Sequence, residues 1–336
     1  MAIVFLTHDP DALRDFYGAA ALAGLRELAE VRINDTGRLL LTPALIKQAA
    51  GCELIVADVH TRADATFFEH AVDTVAFLRC AVDTRTIDIE AASRNGILVT
   101  NASPGFVHSV SELIFGAMID LARHVSYAAS AYHAGALPDK RMGIELKGST
   151  IGILGYGSIG TRVAEIANAF QMRVLVCDPH KTVRAAGVGQ VAMNTLLESA
   201  DFVVCLVIAN AETENLLDAS AFARMRPSAY FINASRGNLV DEEALSNALR
   251  EGGIAGAALD VGRAPGQMPT PEIARLENVI ATPHVGGLTP PATQAQALET
   301  VEQVRALLSR RLPHNALNAE HASRLARLDI DPRGQG

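Results

Sequence analysis

Three short stretches carry the side chains best suited to chemistry: Asn233-Ala234-Ser235-Arg236-Gly237, Ala258-Leu259-Asp260-Val261 and Thr282-Pro283-His284-Val285-Gly286-Gly287. Each ends an apolar, strand-like run. A guanidinium is a planar, permanently charged fork that matches a carboxylate. An imidazole gives or takes a proton near neutral pH. In an open α/β sheet, ligands bind outside the carboxyl ends of the strands, so an Arg, an Asp and a His gathered there mean more than their residue types alone. Taken singly, each has a plainer reading: a surface arginine, a strand-end cap and a turn histidine.

A fourth stretch, Gly155-Tyr156-Gly157-Ser158-Ile159-Gly160, follows the strand-like run Ile151-Gly152-Ile153-Leu154 and precedes a helix-like one. A lone G-x-G-x-x-G is a weak signal, but strand before and helix after make it a dinucleotide site. Gly155 permits the tight turn, Gly157 lets a pyrophosphate approach the backbone, and Gly160 lets helix and sheet pack closely. The free N–H groups at Ser158, Ile159 and Gly160 and the helix dipole favour the diphosphate. Asp178 closes the next strand-like run, where a carboxylate accepts from ribose hydroxyls and repels a 2′-phosphate; this favours NAD over NADP. His180 and Lys181 beside it weaken that preference, and a simple D-P turn is the alternative for Asp178.

These groups need a scaffold that brings strand ends together. Apolar runs at residues 2–6, 31–34, 54–56, 75–78 and 97–100 alternate with helix-period stretches such as 10–28 and 43–50, and a second series begins at residue 150. This rhythm predicts α/β architecture with parallel sheets covered on both faces. The chain's 336 residues suit two domains. The expected layout is discontinuous: residues 1–104 pack with 289–336 and enclose a second domain of residues 105–288. A single long amphipathic helix is expected over residues 106–133, more apolar than one small domain needs to cover, which predicts a homodimer.

Composition excludes several classes. A net charge of −8 without basic blocks argues against nucleic-acid binding. The longest apolar stretch, residues 107–125, is interrupted by charged residues and cannot span a membrane. The N-terminus lacks a basic leader. Cys52, Cys80, Cys177 and Cys205 form no C-x-x-C pair, which points to reduced, buried thiols, no metal site and a cytoplasmic location.

Together these motifs resemble the D-isomer-specific 2-hydroxyacid dehydrogenase family, phosphoglycerate dehydrogenase-like members included. The resemblance extends through Ile87-Asp88-Ile89-Glu90, Gly96-Ile97-Leu98-Val99-Thr100-Asn101, Ser109-Val110-Ser111-Glu112 and Glu145-Leu146-Lys147-Gly148. It implies two doubly wound parallel-sheet domains, a Rossmann NAD-binding domain inserted in a flavodoxin-like substrate domain. It implies hydride transfer between NAD(H) and a small D-2-hydroxy acid or 2-keto acid. Arg236 would bind the substrate carboxylate and keto oxygen, His284 would act as acid/base, and Asp260 would lie near the nicotinamide carboxamide. Ala234, Ser235, Gly286 and Gly287 would line the cofactor with Arg236 and His284, while Ala81, Val82 and Asp83 would hold substrate.

The chain departs from the family pattern in three places. The usual D-V-F-x-x-E-P carries a Glu that pairs with the histidine; here the run is Asp260-Val261-Gly262-Arg263-Ala264-Pro265-Gly266, which puts Pro265, or with the prolines aligned Ala264, at the Glu position, and the next carboxylate is Glu272. In the substrate loop, Asp83 stands for a glycine and Arg85 for an aspartate, an opposite charge that would offset Asp83. After residues 54–56, Ala57-Asp58-Val59-His60-Thr61 replaces the Arg-Ser of phosphoglycerate-using relatives. The missing Glu gives some weight to an alternative, an NAD-sensing interaction module like the family's corepressors. Formate dehydrogenases are a weaker one, because they place Gln where Pro283 stands.

Overall fold

The computed structural model describes residues 2–331. Contacts divide them into two compact units, one of residues up to 105 together with those from 290 onward, the other of residues 106–289.

The first unit is built on five parallel strands, β1 (Ile3–Leu6), β2 (Glu30–Ile33), β3 (Leu54–Ala57), β4 (Ala76–Arg79) and β5 (Leu98–Thr100). They lie in the order β2-β1-β3-β4-β5, the flavodoxin-like arrangement. Successive side chains of a strand face opposite ways, and the core divides accordingly. Val4, Leu6, Leu54 and Val56 face one side, where Val301 and Val304 of helix Pro290–Leu308 cover them. Phe5, Ile55 and Phe77 face the other, against Phe67 and Phe68. A helix from the late part of the chain thus covers one face of the sheet formed by its beginning. The stretch expected as one helix over residues 10–28 is broken at Gly18, whose φ of 82° separates a short helical entry from helix Ala19–Leu28.

The second unit has seven parallel strands: β6 (Thr150–Leu154), β7 (Arg173–Cys177), β8 (Val188–Gln190), β9 (Phe202–Cys205), β10 (Tyr230–Asn233), β11 (Gly256–Leu259) and β12 (Val279–Ala281). Their order, β12-β11-β10-β9-β6-β7-β8, is the doubly wound Rossmann order extended by one strand. The short, partly exposed edge strand β8 has no clear apolar signal in the sequence.

The helix expected over residues 106–133 is two helices, α1 (Val107–Arg123) and α2 (Val125–His133). His124, at φ 56°, ends the first in the left-handed conformation. Asp120 then bridges the break by accepting from the Ser126 amide at 2.7 Å. The helical period continues across the junction in the sequence, so the break does not register as a change of pattern. Among the described residues, no helix is long and apolar enough to cross a membrane.

Candidate active site

Register aligns the strand ends of the second unit. Leu154 pairs with Cys177 on one side and Cys205 on the other. Cys205 pairs with Asn233, Asn233 with Leu259, and Leu259 with Ala281. Six strands therefore end in one row, and the residues one step beyond the row include Gly155, Asp178, Ala234, Asp260 and Thr282.

At the centre of the row, helix α3 (Ser158–Ala169) starts from Gly157 with no side chain capping it. Gly155 takes φ +91°, and a side chain there would meet the Leu206 carbonyl oxygen at 2.7 Å. A Cβ on Gly160 would lie 2.3 Å from the Gly155 oxygen, whereas one on Gly157 would meet nothing within 4 Å. Two glycines thus close the turn and the third leaves its outer face open. An uncapped helix N-terminus beside that open face fits a diphosphate. Asp178 accepts from the Tyr156 amide through Oδ2 at 2.8 Å and from the His180 amide through Oδ1 at 2.9 Å. Partial burial opposes its ionisation, but these amides and the Lys181 and His180 charges outweigh it and hold the carboxyl below its ordinary value. Asp178 therefore shapes both its own turn and the glycine loop, and each oxygen keeps a lone pair for a ribose hydroxyl. Lys181 donates to the Tyr156 carbonyl at 2.9 Å.

Beyond β10, the buried Asn233 latches the next turn. Its Oδ1 accepts from the Ser235 amide at 3.1 Å and its Nδ2 donates to the Arg236 carbonyl at 3.0 Å. Ser235 donates to the Val207 carbonyl at 2.6 Å, and the half-buried Arg236 donates to the Ser235 carbonyl at 2.7 Å.

Asp260, 7% exposed, organises the loop beyond β12. Oδ1 accepts from the Thr282 hydroxyl at 2.7 Å and the Val285 amide at 2.8 Å, and Oδ2 accepts from the Gly286 amide at 2.8 Å. A Cβ on Gly286 would lie 2.8 Å from Oδ2, so glycine is needed for this approach. These bonds bracket His284, which is exposed, at φ 56°, with Nδ1 3.0 Å from the Gly266 carbonyl oxygen. Glu272 pairs instead with Arg275 at 3.6 Å on an exposed short helix.

Spacing does not reveal Asn233, Arg263 or Gly266 as contributors. Arg263 donates through Nε to the Val240 carbonyl at 3.1 Å, through Nη1 to Glu214 at 3.0 Å and through Nη2 to the Asn238 carbonyl at 3.2 Å. It thereby ties down the chain just after Arg236. The only available signal was that Arg263 and Gly266 fall in the segment that departs from the family pattern.

Ala81, Val82 and Asp83 belong to the first unit. Their loop is held by donors from beyond β5: the Ala102 amide to the Ala81 carbonyl and Asn101 Nδ2 to the Val82 carbonyl, both at 3.0 Å. Arg85 pairs with Asp83 at 2.6 Å, so the two departures from the pattern neutralise one another. Arg79, fully buried, donates to the carbonyls of Asp58 and Thr61 and to the Thr86 hydroxyl, joining this loop to the one beyond β3. All four cysteines are free, Cys52 and Cys205 buried, Cys80 and Cys177 half-buried. Burial pushes the Cys80 and Cys205 thiols up to about 12, which leaves them protonated and poor nucleophiles. Among the described residues, no group of three or more His, Cys, Asp or Glu could hold a metal.

Residues 115–286 match the D-isomer specific 2-hydroxyacid dehydrogenase, NAD binding domain. A D-3-phosphoglycerate dehydrogenase of Methanocaldococcus jannaschii is 34% identical over 89% of this chain, which spans 57% of that relative's length. A hydroxypyruvate reductase of Thermotoga maritima is 32% identical over 77% of this chain and 86% of its own. The crystal structure of the TT0316 protein of Thermus thermophilus superposes with a TM-score of 0.82 at 30% identity, covering 94% of this chain and 100% of that one. The chain belongs to the D-isomer specific 2-hydroxyacid dehydrogenase family.

Replacing Asp260 with Ala would strand three donors at a buried position. The expected loss is about 3 kcal/mol of stability in urea unfolding, with faster amide exchange at Val285 and Gly286 than in the wild type. Unchanged exchange at both amides would mean that Asp260 does not hold the loop.

Proposed function

We propose that the chain is an NAD-dependent oxidoreductase that interconverts a small 2-keto acid and its D-2-hydroxy acid. The observation that carries this reading is the shared register, which sets the glycine loop, the Arg236 turn, Asp260 and the His284 loop along one edge of one sheet. NAD(H), when bound, supplies or accepts the hydride at its nicotinamide. The chain's residues do the rest. The Arg236 guanidinium pairs with the substrate carboxylate and polarises the keto oxygen. His284 Nε2 delivers a proton to that oxygen as the carbonyl carbon receives the hydride, leaving a neutral alcohol; oxidation reverses each transfer. Ala234, Ser235, Gly286 and Gly287 bound the cofactor, Asp260 acts by shaping the His284 loop, and Ala81, Val82 and Asp83 contribute to substrate binding.

A small, unphosphorylated acid suits the stretch Ala57-Asp58-Val59-His60-Thr61, which has no Lys or Arg and in which Asp58 is buried. The hydroxypyruvate reductase relative points the same way. Retention of Arg236 and His284 favours an enzyme over an NAD sensor. Free thiols suit the reducing cytoplasm. A homodimer accounts for the exposed Leu137 and Met142 of the second unit.

Three measurements test this reading. A panel of 2-keto acids with NADH should give turnover, and His284→Ala should lower kcat about 10²- to 10⁴-fold; undiminished turnover in that variant would remove the acid/base role. Titration should show much tighter binding of NADH than NADPH, with Asp178→Ala narrowing the gap by removing both an acceptor and a repelling charge; a wild type that prefers NADPH would contradict the Asp178 role. Light scattering at micromolar concentration should report twice the chain mass, and a monomer would rule out the dimer.

A further inference from the structure

The His284 ring nitrogen Nδ1 lies 3.0 Å from the Gly266 carbonyl oxygen. A carbonyl oxygen only accepts hydrogen bonds, so Nδ1 carries the proton of that bond. In the neutral ring Nε2 then has the free lone pair. We propose that Gly266 is a positioning residue whose main-chain carbonyl sets the tautomer and ring orientation of His284, taking the role that the family pattern gives to a carboxylate one or two residues earlier. The proposal rests on the reading of His284 as the acid/base.

The loop around Gly266 is built to hold that oxygen. The Gly262 amide donates to the Gln267 carbonyl at 2.8 Å and the Ala264 amide to the Met268 carbonyl at 2.9 Å, so the segment closes on itself. Gly266 at φ +72° and Gln267 at φ 62° turn the chain through two left-handed residues in succession. Glycine adopts this conformation freely, whereas other residues rarely do. The Arg263 side chain fastens the same loop to the carbonyls of Asn238 and Val240. His284 is fixed from the opposite side, because the neighbouring Val285 and Gly286 amides end on Asp260. Both partners of the bond are therefore held independently of it.

A neutral acceptor acts differently from a carboxylate. It can orient the ring but cannot take the Nδ1 proton, and it brings no full negative charge to a protonated imidazole. The proton exchanged with substrate passes only through Nε2, while the Nδ1 proton stays on the ring throughout the cycle.

The test is NMR of the cofactor-free protein with ¹⁵N-labelled histidine at alkaline pH, the His284 signals being assigned by their loss in His284→Asn. Free histidine in water favours the Nε2–H tautomer; His284 should show mainly Nδ1–H. Gly266→Ala should shift the population toward Nε2–H and lower kcat for keto-acid reduction about tenfold, with KM within about twofold. A wild type dominated by Nε2–H would overturn the proposal whether or not the variant folds, and so would a Gly266→Ala protein with wild-type tautomer and kcat. If His284→Ala instead retains full turnover, the acid/base reading fails, and the tautomer result distinguishes that failure from this one.

Discussion

Parallel pairing in register is the constraint on which the rest of this molecule depends. Each of the six strand ends in the second unit is matched to its neighbour, from Cys177 through Leu154, Cys205, Asn233 and Leu259 to Ala281. Neighbouring strands lie about 4.8 Å apart, so residues distant in sequence emerge at one edge at fixed intervals. A slip of one residue at β11 would turn Asp260 to the other face and leave the His284 loop without its acceptor. The buried apolar side chains on both faces of the sheet resist such a slip, so core packing and site geometry are enforced together.

Much of this was legible in the sequence because local patterns encode it. The glycine triplet has its meaning from the strand before and the helix after, and the α/β rhythm gave both parallel sheets. The stretches around Arg236, Asp260 and His284 could be placed at strand ends because apolar runs precede them. What escaped notice depends on backbone conformation or on distant partners. The break at His124 leaves the helical period intact, so no change of pattern marks it. Strand β8 is short, half-exposed and contains Gly189. Asn233 reads as the last residue of a strand, yet its amide shapes the following turn. Arg263 reads as a surface arginine until the chain brings Asn238, Val240 and Glu214 around it.

The two units treat charge in contrasting ways. Beyond β11, a single buried carboxylate is matched by a hydroxyl and two main-chain amides, which occupy both its oxygens without an opposing full charge. At the end of β4, a fully buried guanidinium is matched mainly by main-chain carbonyls. His8 nearby is held well below its ordinary value, by burial first and by the Arg79 charge, against the opposing influence of Asp58. It therefore stays neutral in the physiological range and adds no second buried cation. Loops fastened through side chain to backbone contacts of this kind are rigid without relying on exposed ion pairs, which salt and solvent weaken.

The contact between Gly266 and His284 has a consequence for how such a site is inherited. Every amino acid brings the same main-chain oxygen, so the information at this point lies in dihedral angle and loop length, and residue identity enters only where it sets the backbone, as glycine does at position 266. Point changes that spare Gly266 and the Arg263 anchor would leave the oxygen in place, whereas gain or loss of one residue between Gly262 and Met268 would displace it. Two descendants of this chain could thus differ at the other positions of that segment and still orient the histidine alike. A search for a partner residue by letter would pass over both.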